Sequence, residues 1–491
     1  MKHDPAIAPH GGLGSKPDVE EFAEVLQAVT DDAKRYLLAL DDRPILAADA
    51  SEAAGHFGDA PLPQRGEGAR QSIELLLQDG FGAASSSSGP RFFHFVTGGT
   101  TPAALAADWL ASTLDQNALG WVASPLAARL ESVSLSWLKQ LFDLPPSWGG
   151  VLTTGATMAN FVALASARHW WAERHGVDVE DEGLAGLPQI PIFTSGYAHS
   201  SAVKVVAMLG IGRSNIKVFA GDSVGRLDEK GLEAALRAMR GQPSLVVANA
   251  GEVNTGDFDP IDTMADLAEE HGAWLHVDGA FGLFARISTE SAALAKGVER
   301  AHSVIGDGHK WLNVPYDCGF AFVHDPVLLS RTFGASAAYL MSPDDPRPNF
   351  MHLGPEMSRR ARSIAAWATL HAYGRDGYRS MVDHHLQLAQ RVAARVDAAP
   401  DLERLADVPL NIICFRFRPP GPSEDDLDGL NSRLGEAVLS DGRVYVGITV
   451  YDGHVAFRPA IVNWRTTASD VDLLVEVIRE LGAVILSDSA A

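Results

Sequence analysis

Cysteine and unbroken apolar stretches are both scarce in this sequence of 491 residues. Two cysteines, Cys318 and Cys414, cannot build a disulfide framework and lack the spacing of metal ligands, so we expect both to be small buried side chains and expect no metal. No apolar run approaches the length that crosses a membrane. The first ten residues lack the apolar core of a secretion signal, which predicts a cytoplasmic protein.

Basic residues are also few relative to acidic ones. The chain has 40 Lys and Arg against 62 Asp and Glu, a formal charge of −22 at pH 7. Such a surface repels phosphate backbones and anionic membranes, so neither nucleic acid nor a membrane is an expected partner. With 46% hydrophobic residues, a chain of this length is expected to form two or three packed units, and we find no internal repeat.

Changes of pattern divide the chain into three predicted parts. Residues 1–90 contain a helix with apolar residues at helical spacing and end in a loop rich in glycine and serine. In residues 91–375 strands and helices alternate, which predicts a large mixed, mostly parallel sheet with helices on both faces. Residues 376–491 switch to an α+β pattern, in which Asp452-Gly453 predicts a hairpin. The expected fold class is therefore α/β with a small C-terminal α+β domain.

The most informative stretch is Ser303-Val-Ile-Gly-Asp-Gly-His-Lys310-Trp311, which sets a lysine after a turn-forming segment. An ammonium group is rarely buried, yet desolvation can make a lysine a nucleophile or a Schiff-base former. An apolar strand ends in Asp278, 32 positions earlier (310 − 278). Pyridoxal phosphate (PLP) requires a lysine for its aldehyde and an acid for its pyridine nitrogen, so this pair predicts a PLP site. Either residue alone would more often be a surface lysine or a turn aspartate.

A phosphate site is predicted where a short apolar strand turns into a long helix through Gly155, Ala156 and Thr157. Small residues let backbone N–H groups close around an anion, and the positive end of the helix dipole adds attraction. As an ordinary helix start the same residues would need no ligand. His199 and the turn containing Asn254 also follow predicted strand ends, where ligands gather in such sheets, and we include both among the candidate cofactor-binding residues.

Three segments together resemble the signature segments of the group II PLP-dependent decarboxylases, the family of the aromatic amino acid, histidine and glutamate decarboxylases. They are His309-Lys310-Trp311, His276-Val-Asp278-Gly-Ala280 and Ala198-His199-Ser200-Ser201. The resemblance runs from about Arg91 to the C-terminal helix and is specific as a set rather than segment by segment. It implies the fold-type I architecture of PLP-dependent transferases.

The resemblance also implies roles for the residues around the cofactor ring. Lys310 would form the Schiff base, and Asp278 would keep the pyridine nitrogen protonated so that the ring draws in electrons. His199 and Ala280 would lie on opposite faces of the ring. The implied reaction is decarboxylation of an L-amino acid, with loss of carbon dioxide and a quinonoid intermediate.

Two further residues, Asp307 and His309, would complete the surroundings of the phosphate. Animal aromatic amino acid decarboxylases usually have asparagine where this chain has Asp307. An acid beside a phosphate needs a bridging donor or must point away.

The segments on the substrate side are assigned by the resemblance. Residues 91–100 combine aromatic residues with glycines, which fits buried edge-strand packing as well as a pocket wall. In the family this stretch reaches toward the substrate, so Phe95 and Thr97 become expected contacts. A proline-rich loop before the helix predicted from residue 358 is the family's flap, and it adds Tyr339, Phe350 and His352. The family's N-terminal segment wraps over a partner subunit, which implies a homodimer with its active site at the interface.

The reaction outcome stays open at this point. Phe350 stands at the flap position where typical family members have a proton-donating tyrosine. Phenylalanine has no proton to give, so another group must return the proton after carbon dioxide leaves, or oxygen must intervene. Candidate donors are His199, His352, Lys310, Tyr339 and water. The alternatives to an amine-forming decarboxylase are an aldehyde synthase, an aminotransferase or a carbon–carbon lyase on the same fold, and a protein that keeps the fold only to bind or regulate a partner.

Overall fold

The computed structural model describes residues 19–58, 61–334 and 346–490. The strands of its large sheet are β1 (Gly149–Thr153), β2 (Ile192–Thr194), β3 (Ile216–Val218), β4 (Leu245–Asn249), β5 (Trp274–Asp278), β6 (Ser303–Asp307) and β7 (Gly319–Val323). Within the described residues they form one sheet in the order β1-β7-β6-β5-β4-β2-β3. The pairs from β6 across to β3 are parallel, and β7 runs antiparallel to both β1 and β6. The prediction of a mixed, mostly parallel sheet is confirmed.

Helices cover the large sheet and surround the smaller one. In chain order the α-helices are α1 (Val19–Ala39), α2 (Ala50–Gly55), α3 (Ala69–Leu75), α4 (Phe81–Ala83), α5 (Pro102–Leu114), α6 (Pro125–Leu141), α7 (Ala156–Glu173), α8 (Val179–Glu182), α9 (Ser200–Met208), α10 (Glu229–Ala238), α11 (Ile261–His271), α12 (Pro326–Thr332), α13 (Ser363–Ala398), α14 (Glu424–Asp441) and α15 (Ala468–Ala490). Both α5 and α6 begin with proline after a capping hydroxyl, from Thr101 and Ser124 respectively. Among the described helices, none is long and apolar enough to cross a membrane.

The central strands explain where a ligand can bind. β4, β5 and β6 are buried along their whole length, as strands covered by helices on both faces must be. Each of them ends in a polar residue: Asn249, Asp278 and Asp307. Because the three strands are parallel, these polar ends meet at one edge of the sheet.

The C-terminal part forms a second sheet from β8 (Leu402–Arg404), β9 (Phe415–Phe417), β10 (Ile448–Tyr451) and β11 (His454–Phe457). Its strands are antiparallel, in the order β10-β11-β9-β8. The predicted hairpin is confirmed, with Asp452 and Gly453 both in the left-handed region at φ 48° and 80°. Helix α13 is kinked at Gly374, next to the predicted boundary between residues 375 and 376. The three-part division of the chain itself stays a prediction.

Candidate active site

A cavity of about 400 Å³ lies at the carboxyl ends of β4, β5 and β6. Its volume is within the range of small-molecule sites. Among the residues that line it are many of those predicted from the sequence: Phe95, Gly155, Ala156, Thr157, His199, Asp278, Ala280, Asp307, His309 and Lys310. Five separate sequence segments therefore converge on one site, as a single cofactor would require.

Lys310 reaches into this cavity from the turn that follows β6. Its side chain is largely buried, and its Nζ lies 3.6 Å from Oδ2 of Asp307. The backbone of the lysine turn is held by Gly98, whose N–H donates to the His309 carbonyl. A Cβ at Gly98 would lie 1.9 Å from the Lys310 carbonyl oxygen, so only glycine permits this approach.

The residues next to Lys310 fix the turn from its other side. The Trp311 indole N–H donates to Nδ1 of the buried His385 at 2.8 Å. The amide of Asn313 donates to the carbonyls of Trp311 and Val462, and its oxygen accepts from the N–H of Gly99. Both C-terminal and N-terminal segments of the chain therefore determine the position of the lysine.

Asp278 is buried at the end of β5, and each of its two carboxylate oxygens accepts one hydrogen bond. Its Oδ2 accepts from the Asn160 amide at 2.9 Å and its Oδ1 from the Ala280 N–H at 3.2 Å. Among the described residues, no basic side chain forms a salt bridge with it. A buried carboxylate without a cation is costly, so the site fits a ligand that brings a cationic N–H, as a protonated pyridine does.

The N-terminus of α7 opens onto the same cavity. Gly155 precedes the helix and has no side chain to cap it. A Cβ there would lie 3.1 Å from His309 Cε1, so the glycine is needed for the helix end to meet the lysine turn. Thr157 and Met158 also line the cavity. A helix N-terminus beside a largely buried lysine fits a phosphate group.

The structure shows which hydrogen-bond donors surround the carboxylate of Asp307. Its Oδ1 accepts a hydrogen bond from the Ala156 N–H at 2.8 Å, and its Oδ2 lies 3.3 Å from His309 Nε2. The acid does not point away from the predicted phosphate site, and its bridging donors are the first N–H of α7, the imidazole and Lys310.

His199 caps helix α9 at the rim of the cavity. Its Nδ1 lies 2.7 Å from the Ser201 hydroxyl and also accepts from the Ser201 N–H. Burial lowers the pKa of His199 below its ordinary value, so the imidazole is neutral at pH 7. Both His199 and Ala280 line the cavity; their positions on opposite faces of a ring stay a prediction.

Several predicted residues do not line this cavity. The Asn254 amide donates to Glu252, and its oxygen accepts from the Thr449 hydroxyl, so it joins a loop to the small sheet. Thr97 is buried with its hydroxyl 3.4 Å from that of Tyr316. Phe350 is buried with its ring against the Arg359 guanidinium, and His352 is buried beside it. Tyr339 lies outside the described residues.

Sequence reasoning missed Arg458, Tyr197 and Asn160. Arg458 directly follows β11, is largely buried and lines the cavity. Burial lowers the pKa of Arg458, and the nearby Glu252 opposes that change. Burial and the acceptor Asp257 raise the pKa of Tyr197, which also lines the cavity. The signal for two of the three was available: Asn160 is a polar residue inside an apolar helix, and Arg458 ends an apolar strand. In the described chain there is no cluster of His, Cys, Asp or Glu placed to hold a metal ion.

Comparison with known proteins agrees with this geometry. Residues 71–418 match the family described as the pyridoxal-dependent decarboxylase conserved domain. The aromatic-L-amino-acid decarboxylase of Bacillus atrophaeus is 27% identical over 94% of this chain and 95% of its own length. The L-2,4-diaminobutyrate decarboxylase of Rhizobium meliloti (strain 1021) is 31% identical over 86% of this chain and 83% of its own length. The solved structure of Oryza sativa TDC with PLP and tryptamine has a TM-score of 0.87 at 25% identity, covering 96% of this chain and 99% of that one. The chain therefore belongs to the group II pyridoxal-dependent decarboxylases, enzymes that use PLP to remove carbon dioxide from amino acids.

Proposed function

We propose that this chain decarboxylates an L-amino acid with PLP held covalently by Nζ of Lys310. The observation that carries the assignment is that Lys310, the buried carboxylate of Asp278 and the N-terminus of α7 converge on one cavity. When bound there, PLP supplies an electron sink for the bond that breaks. Asp278 keeps the ring nitrogen protonated, and Gly155, Ala156 and Thr157 hold the phosphate by backbone N–H groups and a hydroxyl.

Arg458 is our candidate for binding the substrate carboxylate. Among the described lining residues, Arg458 is the one arginine, and the one lysine, Lys310, is assigned to the cofactor. The one side-chain hydrogen bond of Arg458 within the described structure is from Nη1 to the Val253 carbonyl at 2.9 Å. Its remaining N–H donors suit a carboxylate, which guanidinium groups bind in a bidentate manner.

The proton that replaces carbon dioxide must come from a group near the reacting carbon. Lys310 and His199 line the described cavity, whereas Phe350 and His352 do not. Lys310 becomes free to carry a proton once the substrate amine has displaced it. We therefore propose Lys310 as the donor and an amine as the product, with His199 covering the ring and excluding water.

A homodimer is proposed from the N-terminal helix. Two residues of the apolar stripe expected to be buried on α1 are exposed in the single chain: Phe22 is 60% and Leu26 58% exposed. Neighbouring exposed apolar side chains suit an interaction surface, and a second copy of the chain is the partner that the family implies. We also propose a cytoplasmic location, since both cysteines are free thiols rather than a disulfide.

The test is a panel of L-amino acids scored for carbon dioxide, amine, aldehyde and peroxide, run on wild type and on Lys310→Ala. We expect one or a few substrates to release carbon dioxide and amine, and the variant to release neither while keeping its fold. If the wild type releases aldehyde and peroxide, its product is an aldehyde and the proposed amine is wrong. Near wild-type turnover by Lys310→Ala would remove this lysine from the mechanism.

A further inference from the structure

We propose that Asn160 and His276 are positioning residues, which orient the carboxylate of Asp278 through a buried chain of hydrogen bonds that run in one direction. The inference rests on the proposed role of Asp278 as the partner of the cofactor nitrogen. It adds two residues that touch neither cofactor nor substrate and act through Asp278.

Strand geometry brings the members of this chain together. Trp274, His276 and Asp278 alternate along β5, so their side chains point to the same face of the sheet. Ser303 on β6 pairs directly with His276 in the strand register. Helix α7 packs on this sheet and contributes Asn160. All five residues are buried.

The distances connect them in sequence. The Trp274 indole Nε1 lies 3.0 Å from the Ser303 hydroxyl, which lies 2.9 Å from Nδ1 of His276. On the other side of the imidazole, Nε2 lies 2.8 Å from Oδ1 of Asn160. The Asn160 Nδ2 then donates to Oδ2 of Asp278 at 2.9 Å.

The two ends of the chain determine the direction of every bond in it. An indole N–H can only donate, and an ionised carboxylate can only accept. Trp274 therefore donates to Ser303, and the Asn160 NH₂ donates to the carboxylate of Asp278. The Asn160 oxygen must then accept from Nε2 of His276, so the neutral imidazole carries its single hydrogen there and its Nδ1 accepts from the Ser303 hydroxyl.

The reverse arrangement is unfavourable. If His276 carried its hydrogen on Nδ1, the Asn160 amide would have to turn over to donate to Nε2. Its carbonyl oxygen would then face the carboxylate of Asp278 at hydrogen-bond distance, and two acceptors repel each other. Burial lowers the pKa of His276 to about 4, so a doubly protonated ring does not relieve the conflict near neutral pH. The chain therefore presents the Asn160 NH₂, a donor, to the carboxylate of Asp278.

Asn160 has a second contact that extends the argument to His199. Its Nδ2 lies 3.4 Å from the Ser201 hydroxyl, which lies 2.7 Å from Nδ1 of His199. One amide thereby connects the acid expected at the edge of the cofactor ring with the imidazole expected on its face. The hydrogen of the neutral His199 ring is on Nε2, because Nδ1 accepts from the Ser201 N–H.

The experiment compares Asn160→Leu, which keeps the number and branching of the side-chain heavy atoms and removes both the donor and the acceptor, with Asp278→Asn. Both are prepared as PLP-bound protein and measured for kcat, KM, PLP affinity and visible absorbance. For Asn160→Leu we expect kcat to fall by about 10- to 100-fold, with KM changing by less than about threefold. Its absorbance should shift in the same sense as that of Asp278→Asn. The double variant should be no worse than Asp278→Asn alone, because both changes remove one function.

Two histidine variants add a rescue test. His276→Gln keeps an N–H donor toward Asn160 and should retain at least about tenfold more activity than His276→Phe. Ser166→Ala is the matched control in α7, since Ser166 is buried but bonds the Val162 carbonyl on its own helix; it should leave kcat and absorbance unchanged.

The outcomes separate this inference from the proposed function. An Asp278→Asn variant with normal kcat and absorbance overturns the role of Asp278 itself. A defective Asp278→Asn beside an Asn160→Leu of normal absorbance overturns only the positioning role, even if Asn160→Leu is less stable. If Asn160→Leu does not fold, Ser303→Ala decides by the same measurements, with an expected fall in kcat of about threefold or more. An unchanged kcat and absorbance in folded Ser303→Ala would contradict the proposal.

Discussion

The carboxylate of Asp307 accepts a hydrogen bond from the N–H of Ala156 at 2.8 Å. An acid therefore occupies the N-terminus of the helix that we expect to hold the cofactor phosphate. Helix N-termini attract anions, so carboxylate and phosphate share the same donors and repel each other. The same carboxylate also lies 3.6 Å from Nζ of Lys310. The repulsion therefore arises beside the lysine that we expect to hold the cofactor.

Replacing this acid should tighten cofactor binding. In Asp307→Asn the side-chain oxygen can still accept from Ala156 while the negative charge is removed, so we expect the Kd for PLP to fall by about tenfold, or about 1.4 kcal/mol. Equilibrium titration of apoprotein with PLP measures it. Asp325→Asn is the matched control, since Asp325 caps α12 away from the cavity. Weaker binding by Asp307→Asn would mean that the acid assists the phosphate rather than opposing it.

Because Asp278 is proposed to keep the cofactor nitrogen protonated, we predict that replacing it lowers the reaction rate far more than the affinity for PLP. A neutral amide cannot stabilise a protonated pyridine nitrogen, so Asp278→Asn should lower kcat by at least about 100-fold. Its PLP affinity should change far less, because the phosphate and Lys310 hold the cofactor elsewhere. Single-turnover rates of fully loaded protein check this. A loss of affinity with an unchanged rate of the loaded protein would assign Asp278 to binding alone.

The proposed role of Arg458 predicts an effect on substrate binding. Arg458→Gln removes a charged hydrogen bond to a carboxylate, so KM should rise by about 10- to 100-fold, with a smaller change in kcat. Arg418→Gln is the control, because Arg418 is an exposed arginine of the small sheet region paired with Glu403 and Glu424. If both variants keep the wild-type KM, the substrate carboxylate binds elsewhere.

Because a buried histidine such as His385 stays neutral in the folded chain, we predict that the free energy of unfolding decreases in mild acid. His385 accepts from Trp311 and faces the Asn463 carbonyl, and burial lowers its pKa to about 3. The unfolded chain binds a proton below its ordinary pKa of about 6.5 and the folded chain does not, so stability is lost as pH falls below that value. Between pH 7 and 5 the wild type should lose about 2 kcal/mol more than His385→Gln. Urea unfolding at both pH values measures the difference, and equal losses would mean that His385 is protonated when folded.

The sequence predicted the parts of the site that depend on local pattern. Lys310, Asp278 and the glycine turn before α7 each follow an apolar strand, and parallel strands place their carboxyl ends together. Arg458 could not be assigned in the same way, because it follows β11, a strand of the small sheet, and not a strand of the large one. Pattern alone did not reveal the orientation of Asn254 either, since Glu252 and Thr449, which lie far apart in the sequence, determine it together.

The buried chain behind Asp278 shows a further limit of pattern reasoning. His276 belonged to a signature segment, yet its partner Asn160 lies 116 positions away in the sequence. Only the packing of α7 on β5 brings the two together. Periodicity predicts which face of a strand is buried, but it does not predict which polar groups meet there.

Reduction of the PLP-bound protein with borohydride, followed by peptide mapping, tests the central claim most directly. Borohydride converts a cofactor held by a lysine into a stable adduct that marks the residue. We predict the adduct on Lys310 and its absence from Lys310→Ala. An adduct on another lysine of the wild-type protein, or none in protein that is active and loaded with PLP, would contradict the assignment.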